Sequence, residues 1–205
     1  MRARHGLSLA AALCLSAPAD LRAIVLDVSQ DQIYRAIAIG RSTNAERAEF
    51  HGRYVVPVED ATIEQVELLT EFRRVVVETE SRLRLGDHMF SARQAADAIR
   101  PWRGKLTIAV RVRFHPQNVF VAVPSYEIAL GSPAGEAVAI VDVRRTPLWA
   151  TPEPNQKSGT GAPLIGGIVE SDFDAAAVGQ TTRVVSVTLE GKELARAVID
   201  FARLE

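Results

Sequence analysis

From Lys105 to Phe114 the chain alternates without a break. Leu106, Ile108, Val110, Val112 and Phe114 are apolar, while Lys105, Thr107, Ala109, Arg111 and Arg113 are polar or small. A two-residue period held this long describes a strand with one face on a core and the other turned outward. Any fold for this chain must therefore place a half-buried sheet near its middle. His115-Pro116-Gln117-Asn118 supplies a turn, and Val119–Pro124 reads as a returning strand that makes a hairpin with the first. Further strands are expected over Gly52–Val58, ended by Pro57, over Val66–Leu69 and over Ala137–Val143. Arg183–Leu189 and Leu194–Phe201 flank Glu190-Gly191-Lys192-Glu193, where Gly at the first central position suits a type II′ turn.

Helical spacing belongs to the first half. Ser29 and Gln32 form a capping box ahead of Ile33, Ala36, Ile37 and Gly40. Thr70 caps a second helix, whose Phe72, Val75, Val76, Thr79 and Leu83 make one apolar stripe that Gly86 closes. Ser91 caps a third, carrying Ala95, Ala98 and Ile99 and stopped by Pro101. Residues 41–50 are polar and expected to be irregular. Helices first and strands afterwards predict an α+β fold, with N-terminal helices packed on a mostly antiparallel β-sheet or sandwich formed by the C-terminal half.

The chain opens on Met1-Arg2-Ala3-Arg4-His5, continues with the apolar run Gly6–Ser16 and reaches Ala17-Pro18-Ala19. A basic head, a short apolar stretch and a small-x-small site are the three parts of a cleavable secretory signal. The run is too short for a membrane span. The expected organisation is a signal peptide over 1–19 and one α+β domain over 20–205, periplasmic or secreted, with no transmembrane segment in the mature chain. Cys14 is the only cysteine and leaves with the signal, which excludes disulfides, thiol nucleophiles and thiolate metal sites. Loss of Arg2 and Arg4 takes the net charge from −1 to about −3, so no basic excess points to nucleic acid.

One long stretch lacks periodicity. Thr146–Pro163 holds four prolines and two glycines and is expected to be a loop, a length that in a compact domain points to function. Trp149 within it is an aromatic available to a partner. Arg111 and Arg113 share one face of the alternating strand, and Arg144 and Arg145 end a later one. Were those strands neighbours, they would form a cationic strip able to meet carboxylate or phosphate. Trp149, Arg111, Arg113 and Arg144 are thus the candidate binding residues, and Trp102 is assigned to the core.

Signatures of catalysis are absent: there is no G-x-S-x-G, H-E-x-x-H, EF-hand or Walker loop, and no cofactor is implied. His51, His88 and Asp87 are the weak candidates for a metal site, although no two share a ligand spacing. The expectation is a non-enzymatic binding or assembly module of the bacterial envelope, its partner an envelope protein or a small anionic ligand. The alternative is a periplasmic hydrolase, metal-dependent or not, using Asp87 and His88.

Overall fold

The computed structural model describes residues 27–151 and 162–204. The signal peptide assigned to 1–19, with Cys14, and residues 152–161 of the expected loop lie outside the described residues.

Four helices begin where side chains can replace the missing backbone acceptors. Ser29 with Gln32, Thr43 with Glu46 and Ser91 with Gln94 form reciprocal capping boxes at α1 (Gln30–Gly40), α2 (Asn44–Gly52) and α4 (Ala92–Ile99). Thr70 caps α3 (Glu71–Arg84) through the Arg73 amide. Helix α2 replaces the irregular segment expected over 41–50. It buries only Phe50, so it carries no apolar stripe, and its capping box is the local signal for it. Helices α1, α3 and α4 pack on one another. The tightest point is Gly40, where a Cβ would stand 2.7 Å from that of Thr79.

The strands β1 (Val55–Val56), β2 (Ile63–Leu69), β3 (Lys105–Arg113), β5 (Ile140–Trp149) and β6 (Leu164–Asp174) form an antiparallel sheet in the order β1-β2-β3-β6-β5. A second antiparallel sheet has the order β4 (Tyr126–Gly131), β7 (Thr182–Leu189), β8 (Lys192–Asp200). The short helix α5 (Ala175–Val178) follows β6. The helices lie mostly in the N-terminal half and the sheets mostly in the C-terminal half, an α+β architecture as expected.

Three local expectations are corrected. Val119–Pro124 is not a strand and makes no hairpin with β3. Both edges of β3 are already paired, to β2 and β6, and Asn118 locks the departing chain by bonding the carbonyls of His115 and Leu164. Phe120 then folds edge-on against Phe114, ring centroids 5.0 Å apart. Strand β5 starts at Ile140 rather than Ala137, whose only β pairing is an isolated bridge to Gly131, and it runs on to Trp149. Arg144 and Arg145 therefore sit in mid-strand, and Thr146–Trp149 are strand, not loop. An edge strand tolerates Pro147 because the amide it lacks belongs on the open side. The β7–β8 turn is Glu190-Gly191, since Leu189 pairs with Lys192; both turn residues have positive φ (52° and 77°), the type I′ pattern rather than II′.

The larger sheet has two unlike faces. Residues paired across antiparallel strands share a face, so Ile108 and Val110 stand with Leu68 and Val66 on one side and with Val169 on the other. These belong to one buried cluster that includes Phe72 and Val76 of α3 and Ile128, Leu130, Val185 and Val187 of the second sheet. Lys105, Thr107, Ala109, Arg111 and Arg113 turn to the opposite face, and that face holds the candidate site.

Candidate functional site

The register places four strands' polar residues in rows on the opposite face. Thr107 stands between Leu69 and Asp172, Ala109 between Glu67 and Glu170, and Arg111 between Gln65 and Ile168. Across β6, Arg144 lies opposite Glu170 and Thr146 opposite Ile168. Asp172 anchors one end. Its carboxylate is fully buried and accepts both Nη atoms of Arg144, at 2.7 and 2.8 Å, and the Thr107 hydroxyl at 2.6 Å. Burial alone would raise the Asp172 pKa; the bonds from Arg144 and Thr107 outweigh it and hold the group below the usual range. Arg144 also meets Asp142 at 2.9 Å and Glu170 at 3.4 Å.

Trp102 lies beside this anchor, at the end of a 3₁₀ turn (Arg100–Trp102) that carries the chain from α4 towards β3. The guanidinium carbons of Arg74 and Arg144 stand 3.7 and 4.7 Å from its ring centroid, and Lys105 Nζ stands 5.8 Å away. Arg74 donates to the Thr107 hydroxyl at 2.6 Å and leaves its Nε buried without a partner. Burial lowers its pKa to about 10, well above neutrality. Chemically this end of the face is a closed charge network with little spare capacity.

The other end is open. A cleft of about 170 Å³ runs between Gln65, Glu67, Leu69, Ala109, Arg111, Ile168 and Glu170. A second, of about 410 Å³, lies beyond Arg111; its walls are mostly apolar, among them Phe114, Pro116, Leu148 and Pro163, with the Glu64–Arg113 pair also at its lining. Arg111 lines both clefts. Arg113 is held by Glu64 and Arg144 by its three carboxylates, whereas the Arg111 guanidinium forms no hydrogen bond or ion pair among the described residues. The expected cationic strip thus exists on one face but is not continuous. β3 and β5 are separated by β6, whose Glu170 and Asp172 neutralise Arg144 and leave Arg111 as the available cation. Arg145 turns to the core side, in the row of Val169, and reaches the Tyr126 carbonyl at 3.4 Å. Trp149 ends β5 opposite Leu164 and is 50% exposed.

The histidines stay apart in their bonding. His51 Nε2 meets Glu80 Oε1 at 2.6 Å, and its Nδ1 accepts from Arg73 Nε at 3.4 Å, so the ring is fixed between α2 and α3. Arg73 in turn bonds Glu67 and the Leu68 carbonyl, an ion-pair chain that ties the helices to β2. Glu80 is therefore committed to His51 and Arg47, and Glu78 pairs with Arg82. Asp87 accepts the Met89 amide, His88 offers its carbonyl to Arg41, and His115 Nδ1 accepts the Gln117 amide. Among the described residues no group of three or more His, Cys, Asp or Glu side chains is placed to hold a metal.

The contacts that join Asp172, Thr107, Arg74 and Trp102 are not legible in the sequence. Arg74 and Trp102 come from separate helical segments, and only the sheet register brings Asp172 to Thr107 across 65 residues. The chain matches no protein-family model, no curated protein and no solved structure. Among the described residues no helix is long and apolar enough to cross a membrane.

Proposed function

We propose that this chain is an exported envelope protein that binds a small anionic ligand with an apolar body on the open face of its larger sheet. The observation that carries the reading is Arg111, a guanidinium that has no partner among the described residues and is set between two clefts. Cations on such a face are ordinarily neutralised by neighbouring carboxylates, as Arg113 and Arg144 are, and a free one is suited to a carboxylate or phosphate. The larger cleft, at about 410 Å³, is of ligand-binding size and has the apolar walls such sites use. The secretory character of residues 1–19 supports export, and the uncommitted cation supports binding.

The test is calorimetric titration with decanoate and decyl phosphate, set against decyltrimethylammonium as a cation of equal chain length. Both anions bind and the cation does not. Arg111→Gln weakens anion binding about tenfold, in line with loss of a charge-assisted bond. Arg113→Gln has a smaller effect because Glu64 already occupies that group. Equal binding of anion and cation, or indifference to Arg111→Gln, would end this reading. Export is checked separately: the protein recovered from a periplasmic fraction begins at Asp20, as intact-mass measurement will show.

A further inference from the structure

Among the described residues, strand β5 is the outer edge of the larger sheet and leaves one row of backbone groups unpaired. The register says which ones. Arg113 N bonds Thr62 O on the β2 side, and Phe114 N bonds Ile165 O on the β6 side, so even-numbered β3 residues face β6. Those residues pair with Gly167, Val169 and Ser171, which leaves Gly166, Ile168, Glu170 and Asp172 to face β5. Their partners Leu148, Thr146, Arg144 and Asp142 point inward, and Val143, Arg145 and Pro147 point out. Two side-chain observations agree. The Val143 amide is bonded to Asp142 Oδ1 at 2.9 Å, and proline occupies an outward position where no donor is missed.

This edge is also apolar over its first half: Ile140, Val141 and Val143 are 46, 56 and 38% exposed. A passing strand would need to match those groups and the charges among them. The sequence of β5 supplies that match to itself. Antiparallel self-pairing must set outward residues against outward residues, which allows two-fold axes at positions 142, 143, 144 or 145. An axis at 142 opposes two Asp142 side chains, one at 144 opposes two Arg144, and one at 145 opposes two Arg145. Only an axis at Val143 sets Asp142 against Arg144 twice, with Val143 on Val143 and Val141 on Arg145. That register ends before Pro147 and before the bulge at Leu148/Trp149, and it meets the other register shift of β5, between Ile140 and Asp142, only at its outer positions.

We propose that two copies of this chain join antiparallel through residues 140–146 of β5, about a two-fold axis at Val143, fusing two five-stranded sheets into one. In the dimer each Val143 amide passes from its own Asp142 to the Val143 carbonyl of the other copy. The Asp142 Oδ1 released in this way faces the second copy's Arg144, while Oδ2 keeps its bond to Arg144 of its own copy.

Sedimentation equilibrium over a concentration series tests this, with three variants. The unaltered protein shows reversible dimerisation. Asp142→Arg, at a half-exposed side chain, raises the dimer dissociation constant about tenfold by replacing two opposite-charge pairs with like-charge ones. Val143→Pro, which removes only an outward amide, abolishes the dimer while keeping the monomer's circular dichroism. In a Cys14→Ser background, Val143→Cys forms an interchain disulfide on mild oxidation, since hydrogen-bonded pairs hold Cα atoms about 5.5 Å apart, and Thr146→Cys does not. The proposal requires both the cross-link at 143 and the weakening by Asp142→Arg. A protein that remains monomeric, or a dimer lacking either response, overturns it.

Discussion

Among single residues, Asp172 and Glu71 are two buried carboxylates pushed in opposite directions. Asp172 lies below its ordinary pKa because Arg144 and Thr107 outweigh its burial. Its stabilising contribution is complete above the unfolded value near 4 and is lost as pH falls through the folded value. Glu71 is raised, chiefly by burial, against the lowering effect of bonds from the Gly104 and Val28 amides. The folded state therefore holds that proton more tightly, and stability from Glu71 is gained as pH falls through its folded value towards the unfolded one. Asp172→Asn should cost about 3 kcal/mol at neutral pH, because it strands part of a buried ion pair. It should also flatten the loss of stability on the acid side, measured by urea unfolding from pH 7 to pH 3. Glu71→Gln removes the opposing gain, so its acid limb should fall more steeply than that of the unaltered protein. Arg74 makes a contrasting case. Among the described residues it pairs with no carboxylate and its Nε is unpartnered, so Arg74→Met should change stability by no more than about 1 kcal/mol. A loss near that of Asp172→Asn would show that the stack on Trp102 contributes far more than its geometry suggests.

At the scale of elements, the α1–α3 contact depends on the absence of one side chain. Gly40 brings the end of α1 against Thr79 and the Val76 carbonyl, with a Cβ position only 2.7 Å from an atom that cannot swing away. Gly40→Ala should destabilise by about 2 kcal/mol through overpacking, despite alanine's better helix propensity; a stabilised variant in thermal unfolding would refute the close contact. Helix α2 depends instead on its cap, and Thr43→Ala should cost about 1 kcal/mol. These two cases also show why some elements are legible in sequence and others are not. Helices α1, α3 and α4 announce themselves because a capping residue precedes apolar positions at helical spacing. Helix α2 has the cap without the stripe, and polarity alone reads as loop. Strand β3 is legible because it alternates through its whole length. Strand β5 is legible only in its first part, up to Val143: as an edge it buries little, and Pro147 conceals its second half.

For the whole molecule, pairing between distant segments carries what no local pattern contains. The α+β class follows from the order of periodicities, but the strand order β1-β2-β3-β6-β5 does not, because it sets β6 beside β3 across the whole second sheet's first strand and connections. That order determines which arginine is free. Arg111, Arg113 and Arg144 were all recognisable as candidates, yet their difference arises only when β6 brings Glu170 and Asp172 beside Arg144 and when Glu64 meets Arg113. The same topology gives a prediction about cooperativity. Buried residues of the helices, of the five-stranded sheet and of the second sheet belong to a single packed cluster that spans the described residues from Val28 to Leu204. Neither sheet has a separate core with which to survive alone, so urea unfolding should be two-state. Trp102, wedged between helix-borne Arg74 and sheet-borne Arg144, reports the junction, and Trp149→Phe removes the exposed second emitter. In that variant, Trp102 fluorescence and far-ultraviolet circular dichroism should give one midpoint and one slope. Fluorescence moving at lower urea than circular dichroism would mean that the helices detach from the sheet before it melts, and that the shared core is not the unit of folding.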